Sequence, residues 1–375
     1  MRLLCASILA TFLLLYPVMA DIGPHAVITA PLARQVLQRE GFDPNFAHEH
    51  QPGGPILGFA DVRVAARIPG ITPHAQVAYR IVVLPSAFGR GCDWTTLEAK
   101  VHGEELTAIL RVPAGGWYRL ELRCVDSGRT SETSLEPFGV GEVFLIAGQS
   151  YATSAHDERQ KIEDPQGRVV AYDVMKKTWA TADDPLPNVG ARGSIWPGLG
   201  NFLLPLARVP IGFVNVARGG TASRQWMPGE KLYENLASTG STIGQFRAVL
   251  WQQGESDVIE KTPTEKYVER LRIIRATLAG QWSFAPPWLL AKSTLHPTVY
   301  DDPAGEQAIR DAVTELCGHD GFLPGPDTDI LGGENRATRQ TYRHFTALGQ
   351  RRAALLWFST LWELINRPPA EPSAK

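Results

Sequence analysis

Between residues 21 and 139 apolar and polar positions exchange almost every residue, in short runs such as ADVRVAARI, AQVAYRIVVL, ELTAILRV and GWYRLELRCVD. Tyr118, Leu120 and Leu122 alternate with Arg119, Glu121 and Arg123. A period of two predicts strands with one buried face, and runs this short, separated by Pro and Gly, predict a small antiparallel sandwich. The pattern changes after Gly139. Val143 to Ala147 is apolar without interruption, as a strand covered on both faces requires, and similar runs recur at Val209 to Val216, Ala248 to Trp251 and Trp288 to Ala291. Helical spacing lies between or after them. Tyr267, Leu271, Ile274 and Leu278 share one face of Glu265 to Leu278, and Ile309, Val313 and Leu316 share one of Gln307 to Cys317. Strand followed by helix, repeated, predicts an α/β fold with a mainly parallel sheet. A last helix is predicted from near Tyr342 to the stop at Pro368 and Pro369.

The first twenty residues, MRLLCASILATFLLLYPVMA, have a basic start, an apolar run and small residues before Asp21. That is the form of a secretory signal peptide; the rival, a single membrane helix, lacks the flank expected after Ala20. The division expected is a signal peptide at 1–20, a sandwich-like domain at 21–139, an α/β domain at 140–367 and a flexible tail at 368–375. Location outside the cell or in the periplasm follows, with no stable membrane span after cleavage.

Composition narrows the partners. With 37 basic and 39 acidic residues and a net charge of -2, the chain lacks the electrostatic footprint of a nucleic-acid binder. Cys5 leaves with the signal, and an oxidising compartment predicts a Cys92 to Cys124 disulfide beside a solitary, buried Cys317. No CxxC or Cys/His ladder is present, and His48, His50, His319 and Asp320 form no convincing ligand set, so neither metal nor cofactor is expected.

Three segments carry candidate chemistry. In FLIAGQS, Ser150 follows an apolar strand at the edge where α/β folds display reactive groups. Gly148 permits a close turn there, and a helix starting after Ser150 would aim N–H groups at its hydroxyl; the plainer role is a helix cap. In NVARGGTASRQW, Gly219 and Gly220 can bring an N–H close to an oxyanion, or simply form a tight turn. In VLWQQGESD, Gln253 offers an amide donor for the same oxyanion. His344, at the start of the final helix, can stand at the same sheet edge. Arg224 and Trp226 are glycan contacts or, alternatively, a surface ion pair and packing; His296 is a cleft or an ordinary loop histidine.

Taken in order, AGQS, IGFVNVARGGTASRQW, VLWQQGESD and RHFTALG make residues 140–362 resemble the SGNH-hydrolase superfamily, and within it the sialate O-acetylesterase and acetylxylan-esterase-like carbohydrate esterases. The resemblance implies a flavodoxin-like three-layer domain, Ser150 as nucleophile and His344 as general base. It implies an oxyanion site of the Ser150 N–H, the Gly220 N–H and the Gln253 side chain, and acetylated glycans as substrates. Two positions depart from the pattern. Tyr151, a further candidate substrate contact, stands where Asn is common, and Thr341 stands where an aspartate usually supports the histidine. The supporting group is then Glu255, Asp257, Asp327, Asp329 or a backbone carbonyl, with Glu255 preferred for its place beside Gln253, where its alternative role is a structural hydrogen bond in that loop. The alternatives are a noncatalytic glycan-binding or surface-assembly protein on the same scaffold, and an esterase for noncarbohydrate esters.

Overall fold

One long strand joins the alternating half of the chain to the apolar half, and its far end carries Ser150. The computed structural model of the protein describes residues 25–42, 58–336 and 344–367. The expected signal peptide (1–20), His48, His50 and Thr341 lie outside them.

The chain opens with β1 (Val27–Ala30), β2 (Val36–Gln38), β3 (Phe59–Arg67), β4 (Gln76–Phe88), β5 (Cys92–Thr96), β6 (Lys100–His102), β7 (Glu105–Pro113) and β8 (Gly115–Asp126). Strands β1, β3, β7 and β6 form one antiparallel sheet. Strands β5, β4 and β8 lie antiparallel beside one another and lead into β9 (Arg129–Gly148). The inward residues of the two groups, Val62, Val64, Leu106 and Leu110 with Leu120 and Leu122, belong to one apolar core, as the period of two requires.

Strand β9 changes character along its length. As far as Pro137 its residues are exposed or half-buried, and from Phe138 to Gly148 all are buried. The boundary expected at 139 and 140 thus falls inside a single strand. The buried part is central to a sheet completed by β10 (Val169–Asp173), β11 (Thr178–Thr181), β12 (Ile211–Asn215), β13 (Ala248–Gln252), β14 (Trp288–Lys292) and β15 (Phe322–Asp327), in the order β11-β10-β12-β9-β13-β14-β15. Neighbours are parallel except β11, which is antiparallel to β10, so the sheet is mixed.

Helices cover both faces: α1 (Trp196–Ala207), α2 (Lys231–Ile243), α3 (Glu255–Ile259), α4 (Thr264–Trp282), α5 (Pro303–Leu316) and α6 (Ala347–Ile365). Phe144 and Ile146 of β9 pack in one core with α1 and α6, while Val143, Leu145 and Ala147 pack in the other with α2, α4 and α5. The faces read from sequence for α4 and α5 are the buried ones. The last helix starts later than its pattern suggested, at Ala347, because Thr346 caps it by accepting a hydrogen bond from the Gly349 N–H.

A buried charge cluster joins the two halves. Glu142 of β9 takes Arg39, beyond β2, at 2.7 Å and Arg247, before β13, at 2.7 Å, with Gln38 at 3.0 Å. Burial opposes the charge on Glu142, but Arg247 and Arg39 beside it bring its carboxyl down to about 2. No helix among the described residues is long and apolar enough to cross a membrane.

The expected disulfide is not formed. Cys92, Cys124 and Cys317 are all free, and Cys317 is half-buried rather than buried. Cys92 pairs across β4 with Ile81 and Cys124 pairs with Val77. Two strand spacings and four residues of rise separate the cysteines by roughly 17 Å, far beyond the ~7 Å limit for a bridge.

Candidate active site

Strands β9 and β13 end side by side, and Gly148 is where the chain leaves the sheet. Its φ is +128°, and a Cβ there would lie 2.1 Å from the Gln252 carbonyl oxygen, so only glycine turns the chain away at this point. Strand β9 also sits at the switch point of the sheet: the chain visits β10 and β12 on one side of it before crossing to β13 on the other. Ligands of open α/β sheets gather at such a point, beyond the carboxyl ends of the strands.

Ser150 opens a single 3-10 turn, Ser150–Ala152. The helix expected after it does not form, because the following backbone is committed elsewhere. The Ala152 carbonyl accepts from Asn215 Nδ2 and Trp196 Nε1, each at 2.8 Å, and Ser154 N donates to the Val189 carbonyl. Ser150 is half-buried, and its hydroxyl makes no hydrogen bond among the described residues. The segment after β12 comes against it: Arg218 N donates to the Gly148 carbonyl, and a Cβ on Gly219 would lie 3.7 Å from that of Ser150. Gly220 follows at φ +71°. The N–H groups of Ser150, Gly219 and Gly220 donate to nothing among the described residues. Unspent donors thus lie in the two segments that meet at Ser150.

Gln253 is placed differently from expectation. It is buried, and its Nε2 lies 2.6 Å from Asp257 Oδ2, 3.1 Å from Gln149 Oε1 and 3.2 Å from the Thr221 carbonyl oxygen. An amide nitrogen has two hydrogens, so both are spent on these acceptors. Its Oε1 accepts from Tyr267 OH. Asp257 also accepts from Ser223 N and Oγ, both at 2.7 Å. Gln253 and Asp257 therefore tie the Gln149 turn to the loop after β12, a buttress for Ser150 and its glycines.

The other wall is built on Tyr151, whose ring packs against those of His344 at 5.3 Å, Phe345 at 4.9 Å, His156 at 5.7 Å and His296 at 6.1 Å. The Arg336 guanidinium lies over the same ring, 4.4 Å from its centre. The residue peptide-bonded to Ser150 thus carries the imidazole of His344 against its side. Tyr151 is fully buried, which corrects its expected role: it presents no surface to a substrate. Trp226 is corrected for the same reason, since it is packed edge to face on Trp251 and donates to Thr221 Oγ1. Arg224 is exposed and paired with Glu260, and His296 is almost wholly covered.

Glu255 does not hold His344. Its Oε1 accepts from Ser293 Oγ at 2.6 Å, and its Oε2 is buried with no hydrogen-bond partner. Burial pushes its carboxyl up to about 8, so at neutral pH it is largely a neutral acid rather than a counter-charge for an imidazolium. The other acidic candidates are occupied. Asp327 pairs with Arg310, and Asp329 accepts from Thr294 N and Oγ1, Leu295 N and Arg310.

Two residues emerge that the sequence did not single out. His156 is buried, and its Nε2 donates to the Tyr151 carbonyl at 3.1 Å while its Nδ1 accepts from Phe345 N at 3.2 Å. Burial brings its pKa down to about 3, which keeps the ring neutral and able to do both. One imidazole therefore joins the residue after Ser150 to the residue after His344. Arg336 donates to the Leu331, Leu295 and Thr328 carbonyls and closes the cluster from behind. Nothing in the spacing of AGQSYATSAH distinguishes His156 from a loop histidine. Replacing it by Phe leaves the Phe345 N–H and the Tyr151 carbonyl unpaired, and the unfolding free energy is expected to fall by about 2–4 kcal/mol. Urea denaturation reads this directly, and an unchanged midpoint would contradict the bridge.

Among the described residues, no group of three or more His, Cys, Asp or Glu side chains has the disposition of a metal site. Residues 140–281 match the family model described as carbohydrate esterase, sialic acid-specific acetylesterase. A probable carbohydrate esterase of Arabidopsis thaliana is 34% identical over 169 residues, which are 38% of this chain and 65% of that protein. The crystal structure of a carbohydrate acetylesterase from Xanthomonas citri superposes with a TM-score of 0.54 at 19% identity, over 90% of this chain and 75% of that one, a likeness of fold. The chain thus contains, at residues 140–281, a carbohydrate-esterase domain related to the sialic acid-specific acetylesterase family.

Proposed function

We propose that the protein is a serine esterase that removes O-acetyl groups from a carbohydrate through an acyl-enzyme, on an SGNH-type three-layer domain. One observation carries this reading: Ser150 stands at the end of the central strand, where two segments with unspent backbone donors meet, beside a residue packed on His344. His344 takes the hydroxyl proton as Oγ attacks the acetyl carbon, and the tetrahedral oxyanion is held by the N–H groups of Ser150 and of Gly219 or Gly220. Collapse expels the sugar alcohol, protonated by His344. Water activated by the same imidazole then releases acetate and restores Ser150.

In this reading Gln253 and Asp257 position the oxyanion loop and give no hydrogen bond to substrate, and Ser150 and His344 work as nucleophile and general base. Burial of the neutral His156 within the same cluster keeps the two segments in register. The N-terminal strands are proposed as an accessory domain and residues 1–20 as a secretory signal, which would place the enzyme outside the cell or in the periplasm. Acetate release from an acetylated oligosaccharide by the wild type and by Ser150→Ala tests the proposal.

A further inference from the structure

The outward face of α1 and α6 is more apolar than a solvent face requires. Leu206 of α1 is 53% exposed, and Leu348 and Leu355 of α6 are 40% and 42% exposed. Between them Phe202 of α1 meets Phe358 of α6 edge to face at 6.2 Å, and Phe358 stacks on Trp362 at 6.2 Å, all three rings being half-buried. Phe202 and Leu206 stand one turn apart, as do Leu355 and Phe358, so one continuous strip crosses both helices. The core does not need it, because Ala353, Ala354, Trp357, Leu361 and Ile365 already form the buried side of α6. From the size of these side chains the strip offers roughly 400 Å² of apolar surface, close to the apolar half of the ~800 Å² that each partner gives to a stable protein interface.

The charges at the two ends of the strip select the partner. On α6, Arg351 lies one turn before Leu355 and Glu363 one turn after Ser359. Both are exposed, and neither makes an ion pair among the described residues, whereas the neighbouring Arg352 is already taken by Glu334. Laying a second α6 antiparallel on the first, with Leu355 of each copy opposite Ser359 of the other, brings Arg351 opposite Glu363 twice, once on each side of the axis. A surface that satisfies its own charges under a two-fold rotation is the signature of an isologous contact. A lipid surface rewards cations alone and leaves the Glu363 carboxylate repelled at the rim. We propose that this face of α1 and α6 is the interface of a two-fold symmetric homodimer, with the two α6 helices antiparallel and Arg351 of each copy paired with Glu363 of the other.

Sedimentation velocity of the purified protein tests it. The wild type is expected to sediment with twice the chain mass at micromolar concentration, and Leu355→Glu, which sets a carboxylate in the middle of the strip, with the mass of one chain. Arg351→Glu puts like charges opposite each other at both ends, as does Glu363→Arg, and each is expected to raise the dimer dissociation constant by at least about tenfold. The double variant Arg351→Glu/Glu363→Arg is expected to return within severalfold of the wild type. Both positions are exposed, so the urea unfolding midpoint of the isolated chain should not separate the variants. A monomeric wild type, a dimer indifferent to the two single exchanges, or a double variant as weak as the single ones would overturn the interface. A wild type that stays monomeric and co-sediments with vesicles of phosphatidylglycerol and phosphatidylcholine would overturn it in favour of a lipid surface.

Discussion

Ser150→Ala is expected to lower acetate release from an acetylated oligosaccharide by at least about 1,000-fold while leaving the unfolding midpoint within experimental error of the wild type. The first part follows from the loss of the nucleophile, since removing the serine of a serine hydrolase leaves only the rate supplied by binding and oxyanion donors. The second follows from the position of the side chain. Ser150 is half-buried and its Oγ makes no hydrogen bond among the described residues, so deleting the hydroxyl strands no partner. Activity and stability should therefore separate cleanly at this residue. Acetate release measured beside thermal or urea unfolding checks both, and a variant that keeps most of its turnover would remove Ser150 from the reaction.

The second large effect is on stability and depends on pH. Glu255 is fully buried, and burial pushes its carboxyl from 4.5 up to about 8. Below pH 4.5 the group is protonated whether the chain is folded or not, and it costs nothing by titration. As pH rises toward 8 the unfolded chain releases the proton and the folded chain keeps it, so the unfolded state binds fewer protons and stability falls. At 1.4 kcal/mol per pH unit the cost reaches on the order of 4 kcal/mol. Glu255→Gln removes this dependence and preserves an oxygen for the Ser293 hydroxyl. The variant is expected to gain stability relative to the wild type across pH 5 to 8, with a constant difference below that window. Unfolding free energies at pH 4, 6 and 8 measure it, and parallel pH profiles for the two proteins would contradict it. Because Glu255 makes no hydrogen bond to His344, turnover should stay within severalfold; a loss beyond tenfold would restore a catalytic role for the carboxyl.

How far the sequence reached depended on how much of each feature is periodic. The faces of α4 and α5 and the buried part of β9 repeat over enough residues to be read directly. Strand β15, FLPGPD, carries two prolines and no alternation, yet it stands at the edge of the sheet, where a missing N–H is tolerated. Strands β10 and β11 are short, and β11 adds the antiparallel edge that makes the sheet mixed. The disulfide expectation failed on register. Which residues of β5 and β8 stand opposite each other across β4 is fixed by strand pairing, and no local pattern encodes it.

The site divides in the same way. Ser150 and the paired glycines are legible because turn chemistry at a strand end is local. Gln253 was read as a free donor, but its amide is committed by Gln149, more than a hundred residues away, together with Asp257 and Thr221. Tyr151, standing where Asn is common, and Trp226, with glycan contact and packing both open, cannot be placed by local pattern; burial by His156, Phe345 and Arg336 in one case and Trp251 in the other gives them to the interior. His156 acts only through residues 345 and 151, so its task exists once the chain has closed on itself.

A single covalent bond on Ser150 tests the nucleophile most directly. Treating the protein with a p-nitrophenyl alkylphosphonate, a mimic of the tetrahedral intermediate, and mapping the adduct by peptide mass spectrometry should find one phosphonyl group on the peptide containing Ser150, with labelling sharply slowed in His344→Ala. A catalytically active protein that takes the label on another residue, or labels Ser150 equally fast without the imidazole, would contradict it.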